Sequence, residues 1–373
     1  MKKLVFIVPI LVLAFACKKD HEQILSNPGD VKLILPDEPY NYADYEIPGH
    51  FDSPLLNFFQ FIPASNPTTD NGATLGRVLF YDVNLSKNRN TSCSSCHQQE
   101  FGFSDPNILS IGHSGGTTGR HSMHLVNMQF NSRVFWDRRA NSLETQVLMP
   151  IQDPVEMGMT LDDVVARLNT TEHYPPLFEK AFGDQEITAD RISKALAQFV
   201  RSIISFTTKY DKGFENNFAD FTPSEAAGME LFFSGDIRCN HCHSSQNLFS
   251  RNAMNNGLDS EFSDLGYYNV TGDTADIGRF KVPSLRNVAV TAPYMHDARF
   301  STLEEVIEHY DTGVQPSATL DDRITVEIQP GGTPLALNLT DQQKLDLIAF
   351  LHTLTEESIL THPKYSNPFV VVP

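Results

Sequence analysis

The chain's 373 residues give a soft prior of two domains and length enough for a real hydrophobic core. Against 46 aspartates and glutamates stand 28 lysines and arginines, a formal charge of −18 that repels nucleic acid and anionic lipid and attracts a basic partner. Four of the five cysteines fall in two Cys-x-x-Cys pairs, which leaves no further pair for a four-cysteine zinc site.

Met1 to Ala16 has the layout of a signal peptide: Lys2 and Lys3, an apolar run from Leu4 to Phe15, and Ala-x-Ala ahead of Cys17. The run is too short to cross a bilayer as a mature helix. A cysteine just after a small residue predicts a lipoprotein acylated on Cys17, and cleavage near Ala16 without acylation is the plainer alternative. Both place the protein outside the cytoplasm, in the periplasm, and a lipid on Cys17 would be its one tie to a membrane. Residues 17–47 are polar and dotted with Pro28, Pro36 and Pro39, the composition of a tether.

Two related units follow. Leu75-Gly76-Arg77-Val78-Leu79-Phe80-Tyr81 precedes Cys93-Ser94-Ser95-Cys96-His97, and Ala227-Gly228-Met229-Glu230-Leu231-Phe232-Phe233 precedes Cys239-Asn240-His241-Cys242-His243. Each predicts a short helix with an aromatic end leading into Cys-x-x-Cys-His, the attachment signature of a c-type haem. Two thiols three positions apart can each form a thioether to a haem vinyl group, and the next residue, His97 or His243, supplies the proximal imidazole. Each unit then closes with an amphipathic helix. The first runs from Thr188 to Ile204 with a stripe of Ile192, Ala195, Leu196, Phe199 and Ile203; the second runs from Thr340 to Leu354 with Leu345, Ile348, Ala349 and Leu351. Strand signals are few. The predicted fold is mainly α with long loops: two class I cytochrome c-like domains, 48–210 and 211–373, each carrying one covalently attached haem c.

Between and after these units lie Ser-Ile-Gly-His at 110–113, Phe-Trp-Asp at 135–137, Pro-Ile-Gln-Asp-Pro-Val-Glu-Met at 150–157, Lys-Val-Pro-Ser-Leu-Arg-Asn-Val at 281–288 and Pro-Tyr-Met-His-Asp at 293–297. In this combination the chain, from about Gly72 to Thr355, resembles the bacterial dihaem cytochrome c peroxidases and their MauG-type relatives. The resemblance implies that the first haem reacts with peroxide and the second accepts electrons. It makes Glu156 the acid–base residue that moves the peroxide protons, and Gln146 a residue that orients the peroxide. Alone, Glu156 reads as a solvated loop charge. Trp136, the only tryptophan, matches one that lies between the haems, and by itself it reads as core packing.

His113 sits in a loop with Gly112, Gly115, Gly116 and Gly119. The resemblance makes it a removable distal ligand of the first haem, while the loop alone reads as a mobile surface segment. On the second haem, classical members carry a methionine where this chain offers Tyr310, as the MauG-type branch does. A phenolate would lower the potential that a thioether raises. Thr302 or Ser301 caps the helix before it, with Glu304 or Glu305 completing a capping box. Tyr310 also fits the core stripe Leu303, Val306 and Ile307, which leaves Met295 and Met254 as alternative ligands.

Family members hold a calcium ion between the domains through backbone carbonyls and one side-chain amide. The matching positions are His121, Thr291 and Pro293, and a hard cation prefers oxygen to the imidazole of His121. The resemblance thus implies two haem c groups, a calcium site with a weakened side-chain ligand, and often a dimer. The activity it implies is reduction of hydrogen peroxide by a small cytochrome c or cupredoxin. Tyr310 favours the MauG-like alternative, oxidation of side chains on a partner protein, and His113 opposes it. A non-catalytic dihaem electron carrier would need neither Glu156 nor Gln146.

Overall fold

The computed structural model describes residues 31–51, 60–243 and 252–371. The expected signal peptide and Cys17 lie outside the described residues. The helices are α1 (Asp70–Tyr81), α2 (Cys93–Cys96), α3 (Leu143–Gln146), α4 (Met149–Gln152), α5 (Leu161–Asn169), α6 (Tyr174–Phe182) and α7 (Ala189–Arg201) in the first unit. The second unit has α8 (Lys209–Asn216), α9 (Pro223–Phe233), α10 (Cys239–Cys242), α11 (Tyr268–Thr271), α12 (Leu303–Glu308) and α13 (Asp341–His352), and α14 (Glu357–Thr361) follows in the C-terminal tail. Among the described residues, four short strands make two antiparallel pairs: β1 (Val31–Leu33) with β4 (Phe369–Val371), and β2 (Ala253–Met254) with β3 (Phe280–Lys281).

Local chemistry sets the helix starts. Thr188 accepts from the Arg191 amide to cap α7, and Thr222 with Glu225 and Thr340 with Gln343 form capping boxes on α9 and α13. In each unit the helix ahead of the haem loop crosses the closing helix, α1 on α7 and α9 on α13. A glycine sits at each crossing. A Cβ on Gly76 would lie 2.0 Å from the Ala195 carbonyl oxygen, and one on Gly228 would lie 1.8 Å from that of Asp346. Neither backbone can yield without parting the helices, so Gly76→Ala and Gly228→Ala should each destabilise the holoprotein by about 1–3 kcal/mol. A lower denaturant midpoint at unchanged haem content would show it.

The stripe predicted on α7 is buried: Ile192, Ala195, Leu196, Phe199 and Ile203 are all 1% exposed or less. The α13 stripe needs correction, because Leu345 is 56% exposed and the buried face is Asp346, Leu347, Phe350 and Leu351. The cause is the close crossing at Gly228, which turns Asp346 and Phe350 toward α9. The helix is apolar on more than one side, so its period alone did not choose the face.

Part of the stretch read as tether is docked. Tyr42 is 2% exposed in the first core, its hydroxyl donates to the Lys364 carbonyl, and Asp70 accepts from the Tyr42 and Ala43 amides. The C-terminal tail returns to the same core through Ile359 and Tyr365, while Tyr210 on α8 packs in the second core with Phe232 and Phe350.

Candidate haem cavities and the bridge between them

α2 is a single turn held by a reciprocal Ser92–Ser95 capping box, and His97 follows at its C-cap. The Cys93 and Cys96 side chains are half-buried. They share with His97, Trp136, Gln146 and Glu156 a cavity of about 380 Å³. His97 Nδ1 lies 3.0 Å from the Phe103 carbonyl, to which it donates, so Nε2 is left with its lone pair for a metal. Burial holds this imidazole below the usual histidine range, in the neutral form a ligand requires. These residues fit a covalently attached haem c.

Glu156 follows α4 on a turn whose Asp153 carboxylate accepts from the Val155 and Glu156 amides, at 2.8 and 3.2 Å. Burial, with the nearby Asp153 charge, raises its carboxyl to about 7, against the pull of Arg139. Gln146 ends α3, whose N-cap Ser142 accepts from the Thr145 amide. Glu156 and Gln146 therefore line one cavity with the thiols.

His113 is not brought there. Its amide donates to the Glu156 carbonyl at 2.9 Å, its Nε2 lies 3.2 Å from the Pro154 carbonyl, and the Asn88 and Asn90 amides hold its own carbonyl. Gly112 allows this approach, since a Cβ there would stand 1.7 Å from the Val155 carbonyl oxygen. His113 thus braces the backbone of the Glu156 turn.

The second cavity, about 210 Å³, is lined by Cys239, Cys242, His243, Met254, Met295 and Tyr310 among others, and Trp136 lines both cavities. His243 caps α10 with φ −99° and ψ 60°, close to the −129° and 76° of His97. Thr302 and Glu305 form the capping box of α12, which runs into a π-turn, His309–Gly313, that carries Tyr310. Single π-turns within helices often mark functional sites. Burial pushes the Tyr310 phenol up to about 12, partly offset by a hydrogen bond from Asn256. Lys281, 5% exposed, stands on this wall, and burial lowers its ammonium to about 8.

The two cavities are built on one pattern, displaced by 160 residues. Asn127 and Asn287 both have positive φ, 57° and 62°, each followed by a 3₁₀ turn. Asparagine tolerates that conformation. Each clamps the end of its closing helix: the Asn127 amide donates to Ile203 and that of Asn287 to Leu354, both at 2.9 Å. The turn from Val134 to Ala140 matches that from Tyr294 to Phe300, with positive φ at Phe135 and Arg138 and at Met295 and Ala298. Across the centre, the His121 amide donates to the His296 carbonyl at 2.8 Å and the Lys281 amide to the Trp136 carbonyl at 2.7 Å. His124 and Ser284, themselves 160 residues apart, meet there at 3.1 Å. The same displacement sets Trp136 against His296, whose rings stand edge to face 6.5 Å apart. It also sets Pro150 in the first cavity where Tyr310 stands in the second. Proline has no side-chain atom to offer a metal, and Glu156 and Gln146 line the same cavity.

His121 does not fit the side-chain role in a calcium site. Its Nδ1 lies 3.2 Å from the Ile108 carbonyl and its Nε2 3.3 Å from the Ser104 hydroxyl, so both nitrogens are engaged within the protein. The Thr291 hydroxyl donates to the Val288 carbonyl. Among the described residues no group of three or more His, Cys, Asp or Glu side chains could hold a metal ion. Sequence reasoning passed over Asn256, which nothing local marks, and gave no role to Lys281, the first residue of the motif at 281–288. It also passed over the paired clamps, although Leu-Val-Asn at 125–127 and Leu-Arg-Asn at 285–287 are legible as an echo.

A family model described as di-haem cytochrome c peroxidase matches residues 70–218. The chain is 33% identical to the methylamine utilization protein MauG of Methylorubrum extorquens, covering 81% of this chain and 83% of the relative. It is 34% identical to the cytochrome c551 peroxidase of Nitrosomonas europaea, covering 67% of this chain and 75% of that one. Among solved structures, a MauG-like protein associated with microbial copper homeostasis superposes with a TM-score of 0.76 at 33% identity, over 87% of this chain and 99% of the other.

Proposed function

Because the chain belongs to the di-haem cytochrome c peroxidase family, MauG-type proteins included, we propose that it reduces hydrogen peroxide to water in the periplasm, held to a membrane through Cys17. It carries two haem c groups, and their irons supply the redox chemistry. Each peroxide takes up two electrons and two protons and leaves as two waters.

The observation that carries this reading is the Glu156 carboxyl, held near 7 in the cavity that Cys93, Cys96 and His97 also line. A carboxylate so poised takes the proton from one peroxide oxygen and returns it to the departing one. Gln146 orients the peroxide beside it. The placement of the His113 ring against Pro154 supports turnover without prior reduction. Trp136, in the wall of both cavities, supports electron passage from the second site to the first. The charge of −18 suits a small basic cytochrome c or cupredoxin as donor.

The test is peroxide turnover by the holoprotein with a reduced small cytochrome c, with and without prior partial reduction. Turnover without reduction is expected; turnover only after reduction would make His113 a gate. A second reading, oxidation of side chains on a partner protein, is favoured by Tyr310 at the second cavity. A long-lived oxidised haem spectrum without turnover would select it. No reaction with peroxide would leave an electron carrier.

A further inference from the structure

The second cavity places two alternative iron ligands on one amide. Asn256 Nδ2 lies 3.2 Å from the Tyr310 hydroxyl and 3.5 Å from the Met295 sulfur. Both acceptors line the cavity of Cys239, Cys242 and His243. Both also stand on unusual backbone, Tyr310 in the π-turn and Met295 at φ 78°. A haem iron held there by His243 would accept one further protein ligand, which either of the two could supply. Asn256 itself is held from behind, because its carbonyl lies 3.1 Å from His309 Nε2, and His309 directly precedes Tyr310 in the same turn. Asn256 is therefore tied to the Tyr310 turn twice, once through its side-chain amide and once through its backbone carbonyl.

We infer that Asn256 is a positioning residue that sets the ligand of the second haem iron, favouring Tyr310 and holding Met295 in reserve. The inference rests on the reading of this cavity as the second haem site. An amide N–H bonds a phenolate oxygen with a charge-assisted hydrogen bond, roughly twice as strong as a neutral one. A thioether sulfur is a weak acceptor and gains little from the same donor. The amide thus favours the phenolate. Without it, the phenolate can leave as a phenol, taking a proton, and the Met295 sulfur can fill the position. A thioether raises the potential of a haem, so this one side chain would also choose between a low-potential and a high-potential electron entry site.

Resonance Raman and near-infrared magnetic circular dichroism of the resting ferric holoprotein test this without any turnover. Wild type should show the phenolate-to-iron signature. Asn256→Leu should lose it and gain a thioether-to-iron band, the ratio of the two ligations falling about tenfold or more. Asn256→Leu with Met295→Leu should lose that band, tracing the sulfur to Met295 and not Met254. Asn256→Thr, which keeps a hydroxyl donor, should restore the phenolate signature. The bands of the first haem in the same samples report that each variant is folded and loaded. An Asn256→Leu spectrum identical to wild type overturns the proposal, as does a thioether band that persists in the double variant. If Tyr310→Phe leaves the second-haem spectrum unchanged, the ligation by Tyr310 has failed, which overturns the proposal at its base. Absence of peroxide turnover would instead bear on the peroxidase reading alone.

Discussion

Glu156→Gln should leave both haems attached and lower peroxide turnover by about 10²–10⁴-fold, the usual worth of a positioned acid–base group. Glutamine keeps the volume and a carbonyl oxygen but can neither take nor return a proton. The pH dependence makes the test specific. Turnover begins with Glu156 as a base, so the rate should rise as pH climbs through about 7 and level above it. Burial and the Asp153 charge put that midpoint well above the ordinary carboxyl range, and no exposed glutamate would give it. In Glu156→Gln the rise should vanish along with the rate. Glu156→Asp, with a carboxylate one methylene short, should keep the pH profile at reduced rate. Steady-state assays across neutral pH decide it. A Gln variant with full rate and an unchanged profile would remove Glu156 from the chemistry.

Asp211→Ala should be among the most destabilising single changes, at about 3–5 kcal/mol, because it strands a buried charge. Arg286 is fully buried and donates to both Asp211 carboxylate oxygens at 2.7 Å, with side-chain exposures of 0% and 2%. His50 Nε2 lies 2.9 Å from the same carboxylate, and the Thr208 amide and hydroxyl also bond it. Arg286 further donates to the Ser205 carbonyl, so the cluster ties the link between the units to the Leu-Arg-Asn segment of the second. Burial alone would raise the Asp211 carboxyl; Arg286 and His50 override it and hold it well below the usual carboxylate range. A depressed carboxyl contributes stability above its unfolded value and loses it as pH falls through the folded one. The wild-type chain should therefore lose this contribution only in strong acid, and Asp211→Ala should lack it at neutral pH. Replacing Asp211 and Arg286 together by apolar residues should cost less than the sum of the single changes, since no charge is left unpaired. Denaturant midpoints at neutral and acid pH measure both effects.

Much of this molecule was legible in its letters. The haem attachment sites need only short-range chemistry, two thiols and an imidazole within five residues, so their spacing alone announces them. Helix caps such as Thr188, Thr302 and Thr340 act within one turn and are equally local. The α7 stripe was readable because its polar face is clear, whereas α13, apolar on more than one side, hid which face meets Gly228.

What the letters left open depends on residues far apart in the chain. Tyr42 is drawn from the expected tether by the carbonyl of Lys364, and Asn256 meets Tyr310 across a loop. His113 faces Pro154 because Gly112 lets two loops touch. Trp136 belongs to both cavities because the paired bonds from His121 to His296 and from Lys281 to Trp136 close the units around it. Spacing in a sequence specifies neighbours within a turn or two. Which distant side chains share a cavity is set by how the two cores close on each other, and that is where Glu156 acquires its raised carboxyl and Asn256 its two partners.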